Sequence, residues 1–532
     1  MFELDEKLDN PNEVGVGNLD VNLLMDKVQL DFADFVSEAN EQTRQLSRMM
    51  AMTGGDIYAR AYVPQDFNTI WDRAYQETLV QLETLVGATD GTGRTAHSGV
   101  ARVMKAYIYL TLVDIFGDVP FSEAVKGGEG NFNPKVDTGK DIYDASILLL
   151  DEAIALLAQT PTIGLTRDIY YGGNRTRWTA LANTLKLKAF VNLRLTDAAR
   201  AKTNIEQLLS ADLIDTDAEE FIYKYGTADV PARSRHPQYR DMYKPQAGDA
   251  DTYINNYFML AAYNQKGVQD PRWRYYFYRQ VGSLDKALND DPEAIPCIIS
   301  PRPSHYPFAQ AWCSFDPGFF GREHGNNDGI PPDTRAKTCV GVYPSGGRLD
   351  TNNGDVNYQI VTQQGQGANG AGILPIWMAF YTDFVKAEAA LTLGVAGNAE
   401  ALMVSGIEKS IARVRKFSND SGQALPSGLE PSTTEYVGKV KEIYAASSDK
   451  LDVAMKEYYL ALWGNGVEAY NLYRRTGKPS DIQPMRAAVP GSFIRSLLYP
   501  ADFVNLNSSV DQKPNDKVVK VFWDNNPDDF IK

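Results

Sequence analysis

The stretch SGVARVMKAYIYLTLVDIFGDVP, residues 98–120, indicates how this chain folds. Its apolar side chains return every three or four residues from Val100 to Ile115, the spacing that gives an α-helix an apolar face. Gly117 and Pro120 then end the pattern, because glycine suits a helix C-terminus and proline cannot continue a helix. A helix with a sharp stop of this kind is typical of proteins built from packed helices.

The same periodicity recurs on both sides of this helix. The last predicted helix ends in Arg474, Arg475 and Gly477, which suit a helix C-terminus. Because most connections are short, neighbouring helices can pack as antiparallel pairs. We therefore predict a mainly α fold, a tetratricopeptide-like stack of helical hairpins, although no clean repeat of roughly 34 residues is present. Besides residues 98–116, helices are predicted at residues 21–50, 67–86, 141–157, 176–195, 198–209, 374–393, 398–417, 433–446 and 451–475.

Residues 216–372 interrupt the helical pattern. Gly, Pro, Asn and Asp become dense there, while many aromatic side chains remain, which argues against disorder. We predict that this segment forms a loop-rich ligand-binding face. The predicted organisation is an N-terminal arm (1–18), N-terminal helices (19–215), the loop-rich segment (216–372), C-terminal helices (373–477) and a tail (478–532) packed on the same single domain.

The charge of the chain limits its partners. The 532 residues contain 53 Lys and Arg against 68 Asp and Glu, a net charge of −15. Such a surface repels phosphate backbones, which excludes nucleic acid and disfavours strongly acidic ligands. Neutral glycans and peptides remain, and 29 tyrosines and 7 tryptophans supply stacking surfaces. No apolar run is long enough to span a bilayer, and no signal peptide is visible.

Motifs of enzymes and cofactor sites are absent or lack their context. Residues 365–370, GQGANG, match a dinucleotide-binding pattern, but no βαβ unit surrounds them, so they predict a loop. HExxH, GxSxG and Walker motifs do not occur. The cysteines, Cys297, Cys313 and Cys339, form no CxxC pair; one disulfide and three buried thiols both remain open. We predict a binding protein without catalytic residues or a cofactor.

A structural calcium ion is the exception left open. Residues 326–329, NNDG, are similar to part of a calcium loop. In an EF-hand register, His324 and Arg335 would occupy positions that require carboxylates, so that motif is excluded. A different calcium site using Asp328 and Asp333 is the alternative to a plain turn. His324 could contact a ligand or order its own loop.

Several stretches, in order, carry a resemblance to a known family. Each is short, but their order and spacing are specific. The stretches are AYIY (106–109) with DIFGDVPFSEA (114–124), RW (177–178) with ANTLKL (182–187), GREHGNNDGIPPD (321–333), GVYPSGG (341–347), KAEAA (386–390), and LWGNGVEAY (462–470) with YRRTG (473–477). With them the chain resembles the SusD/RagB nutrient-binding outer-membrane lipoproteins of Bacteroidetes, in the SusD-like subgroup.

The resemblance implies a role and a location. It implies a tetratricopeptide-like fold, no catalysis, and capture of oligosaccharides for a partner TonB-dependent transporter of the SusC type. Capture of peptides for the same type of transporter and a helical adaptor for a protein partner are the alternatives. It also implies an outer-membrane, cell-surface location through a lipid on an N-terminal cysteine. No such cysteine lies near the start, so we expect this sequence to begin after the anchor, with a soluble protein as the other option.

Family patterns do not fix the ligand contacts. The stretch 321–333 belongs to the shared pattern, so we expect it to be a structural brace or an ion site. The ligand contacts are then expected among the aromatic side chains that flank it or precede it, together with one arginine. These candidates are Tyr58, Tyr62, Trp273, Tyr306, Trp312, Phe319, Phe320 and Arg322.

Overall fold

Helices dominate the structure, a computed structural model that describes residues 19–230, 234–244, 252–290, 301–328, 336–514 and 517–531. The predicted N-terminal arm lies outside the described residues. A π-helical stretch, Asp72–Leu79, joins the third helix to the fourth. The α-helices are α1 (Val21–Leu46), α2 (Tyr58–Ala61), α3 (Asn68–Trp71), α4 (Val80–Thr89), α5 (Thr95–Phe116), α6 (Gly139–Ala158), α7 (Arg175–Leu193), α8 (Ala198–Leu208), α9 (Pro237–Met242), α10 (Asn256–Tyr263), α11 (Trp273–Tyr276), α12 (Leu284–Asp290), α13 (Ala379–Leu393), α14 (Ala399–Asp420), α15 (Thr433–Ala446), α16 (Lys450–Ala461), α17 (Gly466–Thr476) and α18 (Ala501–Leu506).

The strands within the described ranges form three antiparallel pairs of two. The longest pair joins β1 (Phe221–Lys224) to β6 (Ile373–Trp377), with Phe221 opposite Trp377. The other two lie in the loop-rich segment and are two residues long on each side. They join β2 (Phe277–Tyr278) to β5 (Cys339–Val340) and β3 (Ser314–Phe315) to β4 (Phe319–Phe320).

The quoted stretch forms α5, the central helix of the N-terminal half. Its side chains are buried on almost every face, and the helix ends at Gly117, whose φ of 80° suits glycine. Helices adjacent in sequence pack on each other, α4 on α5, α5 on α6, α6 on α7 and α7 on α8. The C-terminal half repeats this with α13 on α14, and α17 returns to pack on α1. The predicted stack of helical hairpins is therefore present.

The stretches that carry the resemblance meet in the core. Asp114 of α5 accepts hydrogen bonds from Asn471 Nδ2 at 2.7 Å and Trp523 Nε1 at 3.0 Å. It also pairs with Lys188 Nζ at 3.3 Å, and this lysine lies 2.8 Å from Glu468 Oε1. Buried charges need partners of this kind, so this buried network ties α5, α7, α17 and the tail together.

A second buried ion pair joins the C-terminal helices. Glu388 of α13 accepts hydrogen bonds at 2.7 Å from both Nε and Nη2 of Arg475. Arg194, just after α7, adds a contact of 3.0 Å to the same carboxylate. Gly477 caps α17 in the left-handed conformation, as predicted.

Two predicted helices differ from the structure. The segment predicted as one helix at 451–475 is two, α16 and α17, because Gly464 adopts a φ of 98° between them. The helix predicted from 374 begins only at Ala379; Ile373–Trp377 is β6, fully buried, and a short apolar run does not distinguish strand from helix. The GQGANG stretch is a loop, as predicted, and leads into this strand.

The tail after α17 packs into the main core. Phe493, Leu497 and Trp523 belong to the same cluster of buried side chains as the central helices. None of the helices in the described ranges has the length and apolarity needed to cross a bilayer.

Candidate functional site

Most of the predicted ligand contacts are buried. Trp312 is half-buried, whereas the other seven candidates are buried. Trp273 packs edge-on against Phe319 at 5.5 Å, under the guanidinium groups of Arg274 and Arg279 at 4.4 and 4.7 Å. Phe320 lies in a small separate cluster with Val281, Cys313 and others. In this conformation, Trp273, Phe319 and Phe320 are packing residues, and their role in ligand binding stays a prediction.

Two of the candidates line an open cavity of about 380 Å³, which we call the tyrosine cavity. Tyr58 and Tyr62 lie four residues apart, at the start of α2 and just after it, so they share one face. The opposite wall comes from the tail, where the backbone of Pro490 accepts a hydrogen bond of 3.2 Å from the Tyr58 amide. The remaining wall residues come from 59–67, 491–498, 513–514 and 517–519.

The two tyrosine hydroxyls differ in their surroundings. Arg48 Nη2 donates a hydrogen bond of 2.8 Å to the Tyr58 hydroxyl. The buried Tyr62 hydroxyl has no hydrogen-bond partner among the described residues. Burial raises the pKa of both hydroxyls, and that of Tyr62 lies well above its usual value, so both stay neutral. Buried hydroxyls without a partner are uncommon in proteins. Those of Tyr343, Tyr381 and Tyr458 lie in the core, whereas Tyr62 belongs to the lining of an open cavity.

Two of the three cations in the cavity lining are engaged with protein groups, and the third, Lys517, is exposed. Arg495 pairs with Asp524, both fully buried. Lys513 Nζ donates to Leu497 O at 2.7 Å and to Phe116 O at the end of α5, and burial lowers its pKa to about 7. Lining residues in the described ranges include no carboxylate, histidine or cysteine. Apart from Lys517, the cavity therefore offers apolar surface and neutral hydroxyls, which suits ligand binding better than acid–base chemistry.

A loop with an exposed aromatic ring packs on another part of the tail, at Pro484 and Met485. Phe308 is 96 % exposed, and the Arg302 guanidinium lies 5.3 Å from its ring centre. The loop is held in place by Tyr306, whose hydroxyl donates to Pro484 O at 2.9 Å and whose ring packs edge-on against Trp312 at 5.3 Å. The sequence placed Phe308 in the aromatic segment, but nothing in a single sequence distinguishes an exposed ring from a buried one.

The described part of the shared stretch 321–333 acts as a brace. The Arg322 amide bonds Ile254 O at 3.1 Å, and the Gly325 amide bonds Met52 O at 2.9 Å. Glu323 is fully buried and accepts from Asn256 Nδ2 at 2.7 Å. These contacts join α10, the loop before α2 and the shared stretch, which fits the bracing role expected from the sequence.

Two candidate side chains in this brace face protein rather than the cavity. The Arg322 guanidinium lies 4.6 Å from the ring centre of Tyr253 and donates to Asp328 O. His324 is fully buried 5.8 Å from the Tyr58 ring, and burial lowers its pKa well below the usual value. Neither ring nitrogen of His324 has a hydrogen-bond partner among the described residues, so its role in contacting a ligand or ordering its own loop stays a prediction.

The calcium prediction finds no cluster of ligands within the described ranges. Asp328 forms an ion pair with Arg486, which engages the carboxylate. Asp333 lies outside the described residues, and the part of the chain that is described holds no group of three His, Cys, Asp or Glu side chains suited to a metal ion. Among the cysteines, Cys313 is disulfide-bonded and Cys339 is a buried free thiol, whereas Cys297 lies outside the described residues.

Comparisons with known proteins agree with this fold. Residues 11–292 match the model of the SusD-like family described as starch-binding associating with outer membrane. A chitin-binding protein of known structure aligns with 95 % of this chain and with 100 % of its own chain, with a TM-score of 0.69 and 19 % sequence identity. A SusD/RagB family protein from Bacteroides thetaiotaomicron covers 92 % over 95 %, with a TM-score of 0.65 and 20 % identity.

A third solved structure extends the likeness. A chitin-binding SusD homologue from Flavobacterium johnsoniae covers 95 % of this chain over 99 % of its own, with a TM-score of 0.63 and 16 % identity. At these identities the structural matches establish the fold alone. A search of curated proteins by sequence finds no match.

Proposed function

The chain belongs to the SusD-like family, whose members are described as starch-binding and associated with the outer membrane, and on that premise we propose that it captures neutral oligosaccharides at the cell surface. It hands them to a TonB-dependent transporter of the SusC type, and a lipid anchor holds it at the outer membrane. The protein acts by binding alone, without catalysis.

The observation that carries this proposal is the tyrosine cavity, and the exposed Phe308 ring of the loop that packs on Pro484 adds to it. Sugar-binding sites combine aromatic or apolar surface with a few neutral polar groups that bond hydroxyls. The unpartnered Tyr62 hydroxyl supplies such a group, and Phe308 supplies an accessible ring. The net charge of −15 favours neutral over acidic glycans. Two solved relatives named as chitin-binding add support for a carbohydrate ligand.

Calorimetry with a panel of neutral oligosaccharides and short peptides tests the proposal. The panel contains malto-, xylo-, manno- and chito-oligosaccharides. Phe308→Ala should weaken oligosaccharide binding by about two- to tenfold, the range expected for loss of an aromatic contact. Leu148→Ala, which removes a side chain 58 % exposed on α6, is the matched control and should leave affinity unchanged.

The outcomes separate the three functions. Binding of an oligosaccharide that Phe308→Ala weakens supports the proposal. Binding of peptides in place of sugars makes the protein a peptide-capture protein, and binding of neither favours a protein adaptor. Co-purification of a TonB-dependent transporter with the native membrane protein tests delivery; its absence would contradict that step.

A further inference from the structure

A second concave surface lies next to the tyrosine cavity. It has a volume of about 250 Å³ and is lined by α3, the π-helical stretch, α18 and the loop between α5 and α6. We call it the Trp71 groove. Its floor is aromatic, because the Trp71 ring lies 4.8 Å from Tyr75 and 4.4 Å from Phe503. The volume lies just below the range of roughly 300–1,000 Å³ for drug-sized ligands, so it suits a single ring.

The rim of this groove exposes large apolar side chains. Phe132, in the loop between α5 and α6, is 73 % exposed, and Leu506, at the end of α18, is 79 % exposed. A single exposed apolar residue is ordinary, but two of them around an aromatic concavity indicate an interaction surface. Neither side chain is needed to fill the core.

The polar groups of the groove indicate the charge of its occupant. Asn68, Gln76, Asp72 and Asp502 line it, and its lining in the described ranges includes no lysine or arginine. Asn68 Nδ2 donates to Asp502 Oδ2 at 2.7 Å, and Gln76 Nε2 donates to Asp72 Oδ1 at 2.5 Å. Amides and carboxylates on this rim can bond ligand hydroxyls. Arg73, the cation next to Asp72, is paired with Glu77, so the two rim carboxylates disfavour an anionic ligand.

Hydrogen bonds fix the walls of the groove in advance. Asn507 Nδ2 donates to Pro134 O at 2.8 Å, and the Ser508 amide donates to Asn133 Oδ1 at 2.8 Å. The Tyr75 hydroxyl donates to Pro120 O at 2.8 Å. A preformed concavity loses little conformational freedom when a ligand binds. The π-helical stretch Asp72–Leu79, which carries Tyr75 and Gln76, is also a backbone form that recurs at functional sites.

The groove continues the tyrosine cavity along the same two segments. Phe67 lines the cavity, and Asn68 and Trp71, directly after it, line the groove. On the other side, Leu498 lines the cavity and Pro500 lines the groove. We propose that the Trp71 groove is a second subsite, which stacks a further uncharged sugar ring of the same oligosaccharide against Phe132 and Tyr75. This inference rests on the proposed function.

The test compares long and short members of the neutral oligosaccharide series that the wild type binds. Phe132→Ala should weaken binding of the octasaccharide about fivefold and leave the disaccharide, which is held in the tyrosine cavity, unchanged. Val356→Ala removes another exposed apolar side chain, 57 % exposed, outside both concavities, and should change neither. Ligand-induced fluorescence change with the octasaccharide should also decrease in Trp71→Phe, because Trp71 lies in the groove floor.

A failure of the second subsite can be distinguished from a failure of the proposed function. Equal affinity of the wild type and Phe132→Ala for the octasaccharide, while Phe308→Ala weakens it, overturns the second subsite and leaves the proposed function standing. A loss of affinity that is the same for both ligand lengths also overturns it. If the wild type binds no oligosaccharide of the panel, both proposals fall together.

Discussion

Removal of the Tyr62 hydroxyl should change the stability of the protein and its affinity for an oligosaccharide in opposite directions. This hydroxyl is buried and has no hydrogen-bond partner among the described residues, and Tyr62→Phe removes only that oxygen. A buried polar group without a partner costs about 1–3 kcal/mol, so the variant without ligand should gain about 1 kcal/mol in free energy of unfolding. If the hydroxyl bonds the bound sugar, the same change should remove about 0.5–1.5 kcal/mol of binding free energy, which is about two- to tenfold in affinity.

Tyr58→Phe is the matched comparison, because it removes the neighbouring hydroxyl from the same cavity wall. That hydroxyl accepts a hydrogen bond of 2.8 Å from Arg48 Nη2. Hydrogen bonds to charged groups contribute about 1.5–3 kcal/mol, so this variant should lose stability where Tyr62→Phe gains it. Urea unfolding at equilibrium measures both free energies, and calorimetry with the bound oligosaccharide measures both affinities.

One combination of stability and affinity in Tyr62→Phe would refute a ligand contact of this hydroxyl. If Tyr62→Phe loses stability and binds the oligosaccharide as tightly as the wild type, the hydroxyl has a structural partner and no ligand. Stability gained with unchanged affinity would leave the cavity intact and remove Tyr62 from the contacts.

Two further predictions concern stability. Burial lowers the pKa of His236 to about 3, and its Nδ1 accepts a hydrogen bond of 3.2 Å from the Gln238 amide, so the folded protein holds the ring neutral. In the unfolded chain the imidazole binds a proton near its usual pKa of roughly 6.5. The neutral ring therefore contributes fully to the free energy of unfolding above pH 6.5, and this contribution is lost as the pH falls toward 3. In urea unfolding, His236→Asn should reduce the loss of stability between these pH values, and an unchanged pH dependence would contradict the argument. At the α1–α17 contact, a Cβ on Gly466 would lie 2.3 Å from the Arg44 amide nitrogen, so Gly466→Ala should lower the thermal midpoint sharply. Gly438→Ala, in α15 with no atom within 4 Å of the added Cβ, should raise it by an amount equivalent to about 0.5–1 kcal/mol, and equal effects of the two changes would contradict the packing argument.

The helical frame was predictable because it depends on local patterns. The periodicity around Val100–Ile115 and the stop at Gly117 predict α5 to within a few residues, since one buried face leaves a regular spacing in the sequence. The errors have local causes too. A single glycine such as Gly464 can also occur inside a helix, so the sequence did not show that it separates α16 from α17. The apolar run of β6 fits a buried helix as well as a buried strand.

The site was less predictable because its walls are distant in sequence. Tyr58 and Tyr62 meet residues 491–498, 513–514 and 517–519 only after the tail has folded back over the N-terminal helices. Aromatic composition led to the choice of Trp273 and Phe319, which are buried, and Phe308, which is exposed, was not among the predicted contacts. Exposure depends on tertiary packing, and no single-sequence pattern reports it.

The most direct test of the central claim is titration calorimetry of the wild-type protein with neutral oligosaccharides, acidic oligosaccharides and peptides side by side. We expect saturable binding of at least one neutral oligosaccharide series, weaker or absent binding of its acidic counterparts, and a loss of affinity in Phe308→Ala. Saturable binding of peptides alone, or a preference for acidic glycans, would contradict that claim.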